Sequence, residues 1–180
     1  MAEKRENIIS HAMRSGLVLG GLMVVSYLLS ATFVKNIPVQ FLLGLIGLIV
    51  SIWVIFYFTR KFDKDVLKGE ISYVSALSYG FYMFFFAGMI VALFLYIYLR
   101  YLDPNFLTEL GNSFIQYYKD HHLLEDSIIK QFEAQLSGLE VPTPAQTAIA
   151  SLWTFSFTGF IIVLFTSIFF RKKKNNKTQN

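Results

Sequence analysis

The stretch that decides the fold is Tyr73–Leu99, YVSALSYGFYMFFFAGMIVALFLYIYL. It has twenty-seven residues without Asp, Glu, His, Lys or Arg, and Arg100 follows it directly. A helix rises about 1.5 Å per residue, so about 20 apolar residues already cross the ~30 Å hydrocarbon core of a bilayer. The stretch therefore predicts a transmembrane helix that is tilted or begins with a partly interfacial turn.

Three other apolar runs are long enough to cross a bilayer: 15–34, 39–59 and 144–170. The first exceeds the ~7–15-residue apolar region of a signal peptide and lacks a cleavage pattern, so we expect an uncleaved span. Pro38 suits the first turn of the second span, where its missing N–H costs nothing. Thr143, Pro144 and Gln146 have the spacing of a capping box at the start of the fourth. We predict an all-α fold: a bundle of four transmembrane helices in one domain, 1–180.

The composition agrees with a membrane protein and excludes several other classes. Hydrophobic residues make up 54% of the chain and charged residues 16%. The net charge of +4 does not indicate nucleic-acid binding, because five of the sixteen Lys and Arg lie in the last ten residues, directly after an apolar run. The chain has no cysteine, which excludes disulfides, thiolate catalysis and Cys-ligated metals. We expect no cofactor and no nucleic-acid partner.

Basic residues are distributed unevenly between the two ends of the predicted bundle. Twelve of the sixteen lie in the N-terminal segment, in the loop 60–72 and in the tail 171–180. The other four lie on the opposite side: Lys35, Arg100, Lys119 and Lys130. The positive-inside rule then predicts a multi-pass protein of the inner (cytoplasmic) membrane with both termini in the cytoplasm. The basic, polar tail is expected to be disordered and to associate with the membrane by charge.

The loop between the third and fourth spans, residues 101–143, is predicted to be extracytoplasmic and helical. Asp103 and Pro104 suit an N-cap and the first helical position, and Gly138 suits a helix end. Apolar residues follow one helical face in two groups: Leu107, Leu110, Phe114, Tyr117 and Tyr118, then Leu124, Ile128, Phe132 and Leu136. We expect one long amphipathic helix or two shorter ones, broken near 119–122. They either cover the ends of the spans or the lipid surface, or bind a partner or a second copy through 104–137.

The predicted spans contain no charged side chain and no histidine. Proton relays and ion-coupled carriers need such groups at membrane depth, so we do not expect proton-coupled transport. Hydroxyl side chains within the spans are expected to bridge helices instead. They include Ser26, Ser51, Thr154, Thr158 and Thr166.

The best candidates for a metal site are His121, His122, Glu125 and Asp126 in the loop. On a helix, His121 and Glu125 would be i,i+4 neighbours, as would His122 and Asp126, and each pair could offer two ligands. The pairs point in different directions and neither has an obvious third ligand. The alternative is a solvated polar kink between helices, and we predict no metal.

Small residues at helical spacing indicate where helices approach closely. Gly16 and Gly20 form a GxxxG pattern in the first span, and Gly88 and Ala92 repeat the spacing in the third. We expect contact within the chain rather than between two copies. The second span offers a similar set, which is expected to pack in the same way: Gly44, Gly47 and Ser51.

Three short segments occur in a characteristic order along the chain. They are Gly16–Gly21, then Gly69-Glu70-Ile71-Ser72-Tyr73 followed by Ala76 and Gly80, then Tyr101-Leu102-Asp103-Pro104-Asn105-Phe106. On these segments the chain resembles a bacterial membrane family known only as domain of unknown function 4199. The resemblance implies a four-helix inner-membrane protein, and it implies no activity, cofactor or catalytic residue.

Three classes of function are compatible with a four-span membrane protein. The sequence favours a non-enzymatic accessory or partner-binding protein that uses the loop between the third and fourth spans. The alternative is a small uncoupled channel or permease, which would require oligomerisation because four helices leave little room for a pore. A membrane enzyme would need a polar cluster, and neither a nucleophile motif nor a phosphate-binding motif occurs in the chain.

Overall fold

The structure is a computed structural model that describes residues 2–69, 71–138 and 142–170. These residues form α-helices joined by short turns and include no strand. The helices are α1 Ala2–Thr32, α2 Ile37–Asp65, α3 Tyr73–Ile97, α4 Phe106–Asp120, α5 Asp126–Gly138 and α6 Pro144–Ile168. A π-helical turn, Tyr98–Leu102, continues α3. Glu70 and the predicted tail, 171–180, lie outside the described residues.

Four of the helices are long and apolar enough to cross a membrane, which confirms the predicted all-α, four-span fold. The candidate spans are Ile8–Thr32, Ile37–Asp65, Tyr73–Leu102 and Pro144–Ile168. α1 begins well before the predicted start at Ser15, and the turns that contain Ile8 and Ala12 pack against the rest of the chain. Ile8 and Ala12 are buried in the main core together with Phe62 and Ile71.

Side-chain caps begin three of the four spanning helices where the sequence predicts or allows them. The Thr143 hydroxyl accepts a hydrogen bond from the Gln146 N–H, and the Gln146 side chain accepts one from the Thr143 N–H, so the predicted capping box is confirmed. The Asn36 side chain caps α2 with Pro38 in its first turn, and the Ser72 side chain caps α3. These caps occupy backbone N–H groups that would otherwise be unpaired.

The predicted start of α4 is wrong by two residues. α4 begins at Phe106, and Asn105 rather than Asp103 is its N-cap residue. The Asp103 carboxylate accepts a hydrogen bond from the Asn105 N–H at 3.2 Å, so it holds a turn ahead of the helix. The π-helical turn ends at Leu102, so Asp103 and Pro104 lie between it and α4.

The core of the bundle lies along α3. This helix packs along α1 and along α6, while α2 makes smaller contacts with the other three spans. Tyr79, Met83, Ala87 and Val91 recur every fourth residue on α3 and are at most 1% exposed. A second, smaller cluster of Val34, Leu99 and Phe106 joins the start of α4 to the spans.

The two ends of the bundle differ in their chain segments. One end carries the start of α1, the α2–α3 loop and the end of α6, and we call it the basic end because Arg14, Arg60, Lys61, Lys64 and Lys68 lie there. The other end carries the α1–α2 turn and the helices α4 and α5. We call it the hairpin end.

Candidate functional site

The predicted amphipathic loop folds as a helical hairpin formed by α4, the segment 121–125 and α5. The chain breaks at the predicted position: α4 ends at Asp120, and His122 adopts a left-handed conformation with φ of 49°. An ion pair between Lys119 and Glu133 links the two helices. The two-helix alternative of the prediction is therefore confirmed, whereas the side of the membrane on which the hairpin lies stays a prediction.

The two helices of the hairpin enclose an apolar groove of about 320 Å³. We call it the hairpin groove, and its lining residues are Gly111, Phe114, Ile115, Tyr118, Leu124, Ile129 and Phe132. Ile129 is 4% exposed and forms its floor, whereas Phe132 is 50% exposed and Phe114 and Tyr118 are each 38% exposed. Aromatic side chains that stay half exposed outside a core are typical of a surface that another apolar group covers.

The predicted stripe on α5 matches the groove at Phe132 but not at Ile128. Ile128, which the sequence places on the stripe, is 37% exposed, and its neighbour Ile129 is buried. On α4 the stripe divides, since Leu107 and Leu110 pack on the small cluster at the hairpin end while Phe114 and Tyr118 face α5.

The four metal candidates lie at the hairpin turn, but the helical pairing on which they depended is not formed. Residues 121–125 lie between helices, so His121 and Glu125 are not one helical turn apart. The His121 Nδ1 lies 3.0 Å from the Tyr117 carbonyl oxygen, and its ring is 4.2 Å from the Tyr117 ring. Glu125 accepts a long hydrogen bond from Ser127. Within the described ranges, no group of three or more His, Asp or Glu side chains could hold a metal ion.

The small residues of α1 and α3 lie where helices touch. A Cβ atom added at Gly16 would be 2.7 Å from the Met83 carbonyl oxygen, and one at Gly20 would be 2.9 Å from the Ile90 Cβ. At Gly88 the added atom would be 3.2 Å from Leu152 and from Phe155 of α6. Ala92 is half buried on the same helix. All three glycine contacts are within the chain.

The tightest contact involves a glycine that the sequence analysis did not single out. A Cβ atom at Gly159 of α6 would lie 2.2 Å from Cγ of Phe84 and 2.4 Å from its Cβ. Gly80 makes the reciprocal contact from α3, where an added Cβ would lie 2.7 Å from Val163. Gly80 and Phe84 are four apart on α3, as Gly159 and Val163 are on α6. In the sequence, this contact corresponds to a glycine followed one helical turn later by a large apolar residue, once on α3 and once on α6.

The small residues of the second span do not pack as predicted. A Cβ atom added at Gly44 or Gly47 would meet no atom within 4 Å. Both glycines line an intramembrane cavity of about 450 Å³ between α1, α2 and α6, with Phe84 of α3 at its floor. Between Ile37 and Ser51, α2 has no buried residue, so this half of α2 stands away from the bundle.

Polar side chains line much of the intramembrane cavity: Ser26, Tyr27, Ser30, Gln40, Ser51, Thr154 and Thr158. Of the five span hydroxyls predicted to bridge helices, the prediction is wrong for Ser26, Ser51 and Thr166. Ser26 donates to the Leu22 carbonyl oxygen and Ser51 to that of Gly47, each within its own helix. Thr166, outside the cavity, likewise donates to Val163. A hydroxyl can always reach the carbonyl oxygen one turn earlier, so the local bond is formed in preference.

A hydroxyl pair that joins two spans lies at the basic end instead. The Ser15 and Tyr79 hydroxyls are 2.7 Å apart, and Ser15 also donates to the His11 carbonyl oxygen. The Tyr79 ring stacks on Phe62 at 4.5 Å with an interplanar angle of 9°, and the His11 ring is 5.7 Å from Phe62. This cluster connects α1, α2 and α3. Its sequence signal was a serine and a tyrosine at the same predicted end of two spans.

Comparison with known proteins gives one match. No curated protein and no solved structure matches the chain. The family described as protein of unknown function (DUF4199) matches over residues 14–172, from within α1 to beyond the end of α6. The resemblance in the three short segments is thereby confirmed, and the chain belongs to the DUF4199 family.

Proposed function

We propose that the protein is a non-enzymatic accessory protein of the membrane that binds a protein partner in the hairpin groove. The observation that carries this proposal is the groove itself, an apolar recess at one end of the bundle with half-exposed Phe114, Tyr118 and Phe132 at its rim. Removing apolar surface from water is favourable by about 25 cal/mol per Å². A partner that covers these rings therefore gains binding free energy.

The charges of the hairpin define the chemistry of the partner. Residues 106–138 contain five carboxylates and two lysines, and one of those lysines, Lys119, is paired with Glu133. Of the others, Glu109 is exposed on α4, and Asp120 and Glu125 are exposed at the turn. A complementary partner presents an apolar helix or strand with Lys or Arg beside it, which also accelerates encounter.

The non-enzymatic part of the proposal rests on the sequence of the spans. None of the four predicted spans has Asp, Glu, His, Lys or Arg to supply acid–base chemistry at membrane depth. The uncoupled channel formed by several copies is the competing function. It requires self-association, so the experiment below distinguishes the two.

The orientation belongs to the same proposal, with both termini in the cytoplasm and the hairpin outside the inner membrane. The twelve-to-four asymmetry of Lys and Arg supports it. The chain has no cysteine, so Lys68→Cys and Glu125→Cys each introduce a unique thiol. We expect an impermeant maleimide added outside intact cells to label position 125 and not position 68. Labelling of position 68 alone would reverse the orientation.

Site-specific photocrosslinking tests the partner. Benzoylphenylalanine at Phe132 is expected to crosslink one protein through a segment that is apolar with flanking Lys or Arg, while the same probe at the exposed Gln116, outside the groove, does not. A synthetic peptide of that segment should bind the purified protein in a salt-dependent manner. Phe132→Asp should weaken binding at least roughly thirtyfold, the effect of losing a central anchor, and Gln116→Asp only slightly.

Three results would contradict the proposal. Crosslinks that join two copies of the chain would favour the oligomeric channel. Crosslinks to lipid alone would show that the hairpin lies on the membrane surface. Equal weakening by Phe132→Asp and Gln116→Asp would also count against the groove, because it would show that Phe132 is not an apolar anchor for the partner.

A further inference from the structure

Along one face of α2 at the basic end, the side chains change from aliphatic to aromatic and then to basic. Ile49 is followed by Trp53 and Phe56, and these are followed by Arg60 and Lys64. All five residues line one open depression of about 720 Å³, and Lys61 lines it as well. Trp53 is 64% exposed and stacks on Tyr57, with ring centroids 5.5 Å apart at an angle of 12°. We call this surface the α2 face.

The order of the side chains matches the order of chemical groups along a phospholipid. The helix rises about 22 Å from position 49 to position 64, which is about half of a ~40–45 Å bilayer with its headgroups. Apolar side chains lie at the depth of acyl chains, and the Trp53–Tyr57 pair lies at the interface, where such rings prefer to be. The cations lie one turn further, at the depth of the phosphates.

The cations of the α2 face are available to an external anion. In the part of the chain that the structure describes, no ion pair joins Arg60, Lys61 or Lys64 to a carboxylate. The Asp63 carboxylate accepts a hydrogen bond from the Ile71 N–H at 2.9 Å, and it lines a neighbouring recess together with Arg60 and Lys64. Asp65 lines the depression and offsets one of the three positive charges. Three cations against Asp63 and Asp65 leave an excess of one positive charge on this surface.

Arg60 and Lys64 also belong to a second recess beside the first. This recess has a volume of about 390 Å³, and the aromatic rings of Phe56, Phe169 and Phe170 contribute to it. The Phe56 ring lies 5.5 Å from that of Phe170 and 5.8 Å from that of Phe169. Arg60 and Lys64 of α2 thus face the end of α6 across a recess with aromatic walls, which the Asp63 carboxylate also lines. A guanidinium and an ammonium group in such a setting favour a phosphate that carries an apolar chain.

We propose that the α2 face is a binding site for an anionic phospholipid, with Arg60 and Lys64 on its phosphate and Trp53 against its acyl chain. The ligand is a lipid rather than a soluble phosphate compound, because the apolar surface continues without interruption from Arg60 towards Ile49 over most of a leaflet. This site lies at the opposite end of the bundle from the hairpin groove. It does not depend on the proposed function.

Tryptophan fluorescence tests the site directly, since the chain has two tryptophans and Trp153 lies on α6 outside the α2 face. In the Trp153→Phe variant, Trp53 is the sole emitter. The full-length variant is reconstituted in phosphatidylcholine bilayers with an increasing fraction of phosphatidylglycerol whose chains are brominated. Brominated phosphatidylcholine serves as the neutral reference. We expect stronger quenching by the anionic lipid at equal fraction, which corresponds to a selectivity of at least about fivefold for one cation and more for two.

Two double variants of the Trp153→Phe protein distinguish a specific lipid site from general electrostatic attraction to anionic lipid. Arg60→Gln with Lys64→Gln is expected to reduce the selectivity to near one. Arg14→Gln with Lys68→Gln removes the same charge from exposed positions at the same end but outside the face, and it is expected to retain most of the selectivity. Equal quenching by both lipids before any of these changes would overturn the proposal. Equal loss in the two double variants would also overturn it, because selectivity would then come from general surface charge.

A last arm identifies the source of the phosphate. Glycerol 3-phosphate is added to the Trp153→Phe protein in bilayers that contain brominated phosphatidylglycerol. We expect no change in quenching at millimolar concentration, because the soluble compound lacks the chain that contacts Trp53. Relief of quenching that is lost in the Arg60→Gln, Lys64→Gln variant would assign the site to a soluble phosphate and contradict the lipid.

Discussion

α6 and α2 are both apolar spans with glycines, yet they are held in different ways. At Gly159 of α6 an added Cβ would lie 2.2 Å from Phe84 of α3, whereas at Gly44 and Gly47 of α2 it would meet no atom within 4 Å. On α6 the glycine lets two helices approach closely. On α2 the same residue type widens a cavity. A small residue in a span therefore shows only that space is needed there, and the neighbouring helix decides what fills it.

The contrast continues within α2 itself. Its half nearer the basic end is anchored, since Val54, Ile55 and Phe62 are at most 2% exposed. Its half nearer the hairpin end has no buried residue between Ile37 and Ser51. There the Gln40 side chain donates a hydrogen bond to the Ser30 carbonyl oxygen at 2.6 Å and ties α2 to α1 across the cavity. The four predictions that follow test how far packing differs between these helices.

The largest loss of unfolding free energy is expected from a substitution at the α3–α6 contact. In Gly159→Ala the new methyl group would overlap the Cβ and Cγ atoms of Phe84, which cannot move without shifting α3 or α6. Such overpacking typically costs about 1–3 kcal/mol of unfolding free energy. Thermal unfolding in detergent measures the loss, and Phe157→Leu on the lipid-facing side of α6 is the control. A Gly159→Ala variant as stable as the control would show that α3 and α6 are packed less tightly than described.

A smaller loss is expected at the α1–α3 contact. Gly16→Ala places a methyl group 2.7 Å from the Met83 carbonyl oxygen and 2.8 Å from the Phe86 Cβ, so α1 or α3 must shift. We expect a loss of about 1 kcal/mol, at the lower end of the range for overpacking. Gly21→Ala, on the same helix with no atom within 4 Å of the added Cβ, should cause none. Equal effects at positions 16 and 21 would remove the distinction between the two faces of α1.

The sequence predicted the four spans because the bilayer imposes a length and excludes charge, and both are visible in Tyr73–Leu99. It did not predict the partner of Gly159 or the open space at Gly47. A span is apolar on its core side and on its lipid side, so its pattern does not reveal which face is buried. In the hairpin, where the bundle no longer surrounds the helices, apolar spacing did predict Phe114 and Phe132 as groove residues. The α2 face was not predicted, because its continuity with α6 is visible only in the fold.

The third prediction compares a buried hydroxyl that has a hydrogen-bond partner with one that has none. Ser15 and Tyr79 share a 2.7 Å hydrogen bond between α1 and α3, whereas Ser156 of α6 is the one buried side-chain oxygen without a partner among the described residues. Ser15→Ala should lower the unfolding free energy by about 0.6 kcal/mol, the average for hydrogen bonds between spans. Ser156→Ala should leave it unchanged or raise it slightly, because no bond is lost. Unfolding curves measured under the same detergent conditions compare the two, and a larger loss for Ser156→Ala would contradict the assignment.

The smallest effect is a gain of unfolding free energy, and it is expected in the half of α2 between Ile37 and Ser51. Gly47→Ala adds a methyl group that meets nothing within 4 Å, so no contact is strained. Glycine within a helix is less favourable than alanine by roughly 0.5–1 kcal/mol, because it loses more backbone freedom on folding. In the bilayer α2 is already helical before the spans assemble, so only part of this difference reaches the unfolding equilibrium, and we expect a gain of a few tenths of a kcal/mol at most. Gly44→Ala should behave in the same way, and reversible unfolding in mixed micelles measures both. A loss comparable to that of Gly159→Ala would mean that α2 closes onto the bundle and that the cavity beside Gly47 is filled by a neighbouring helix.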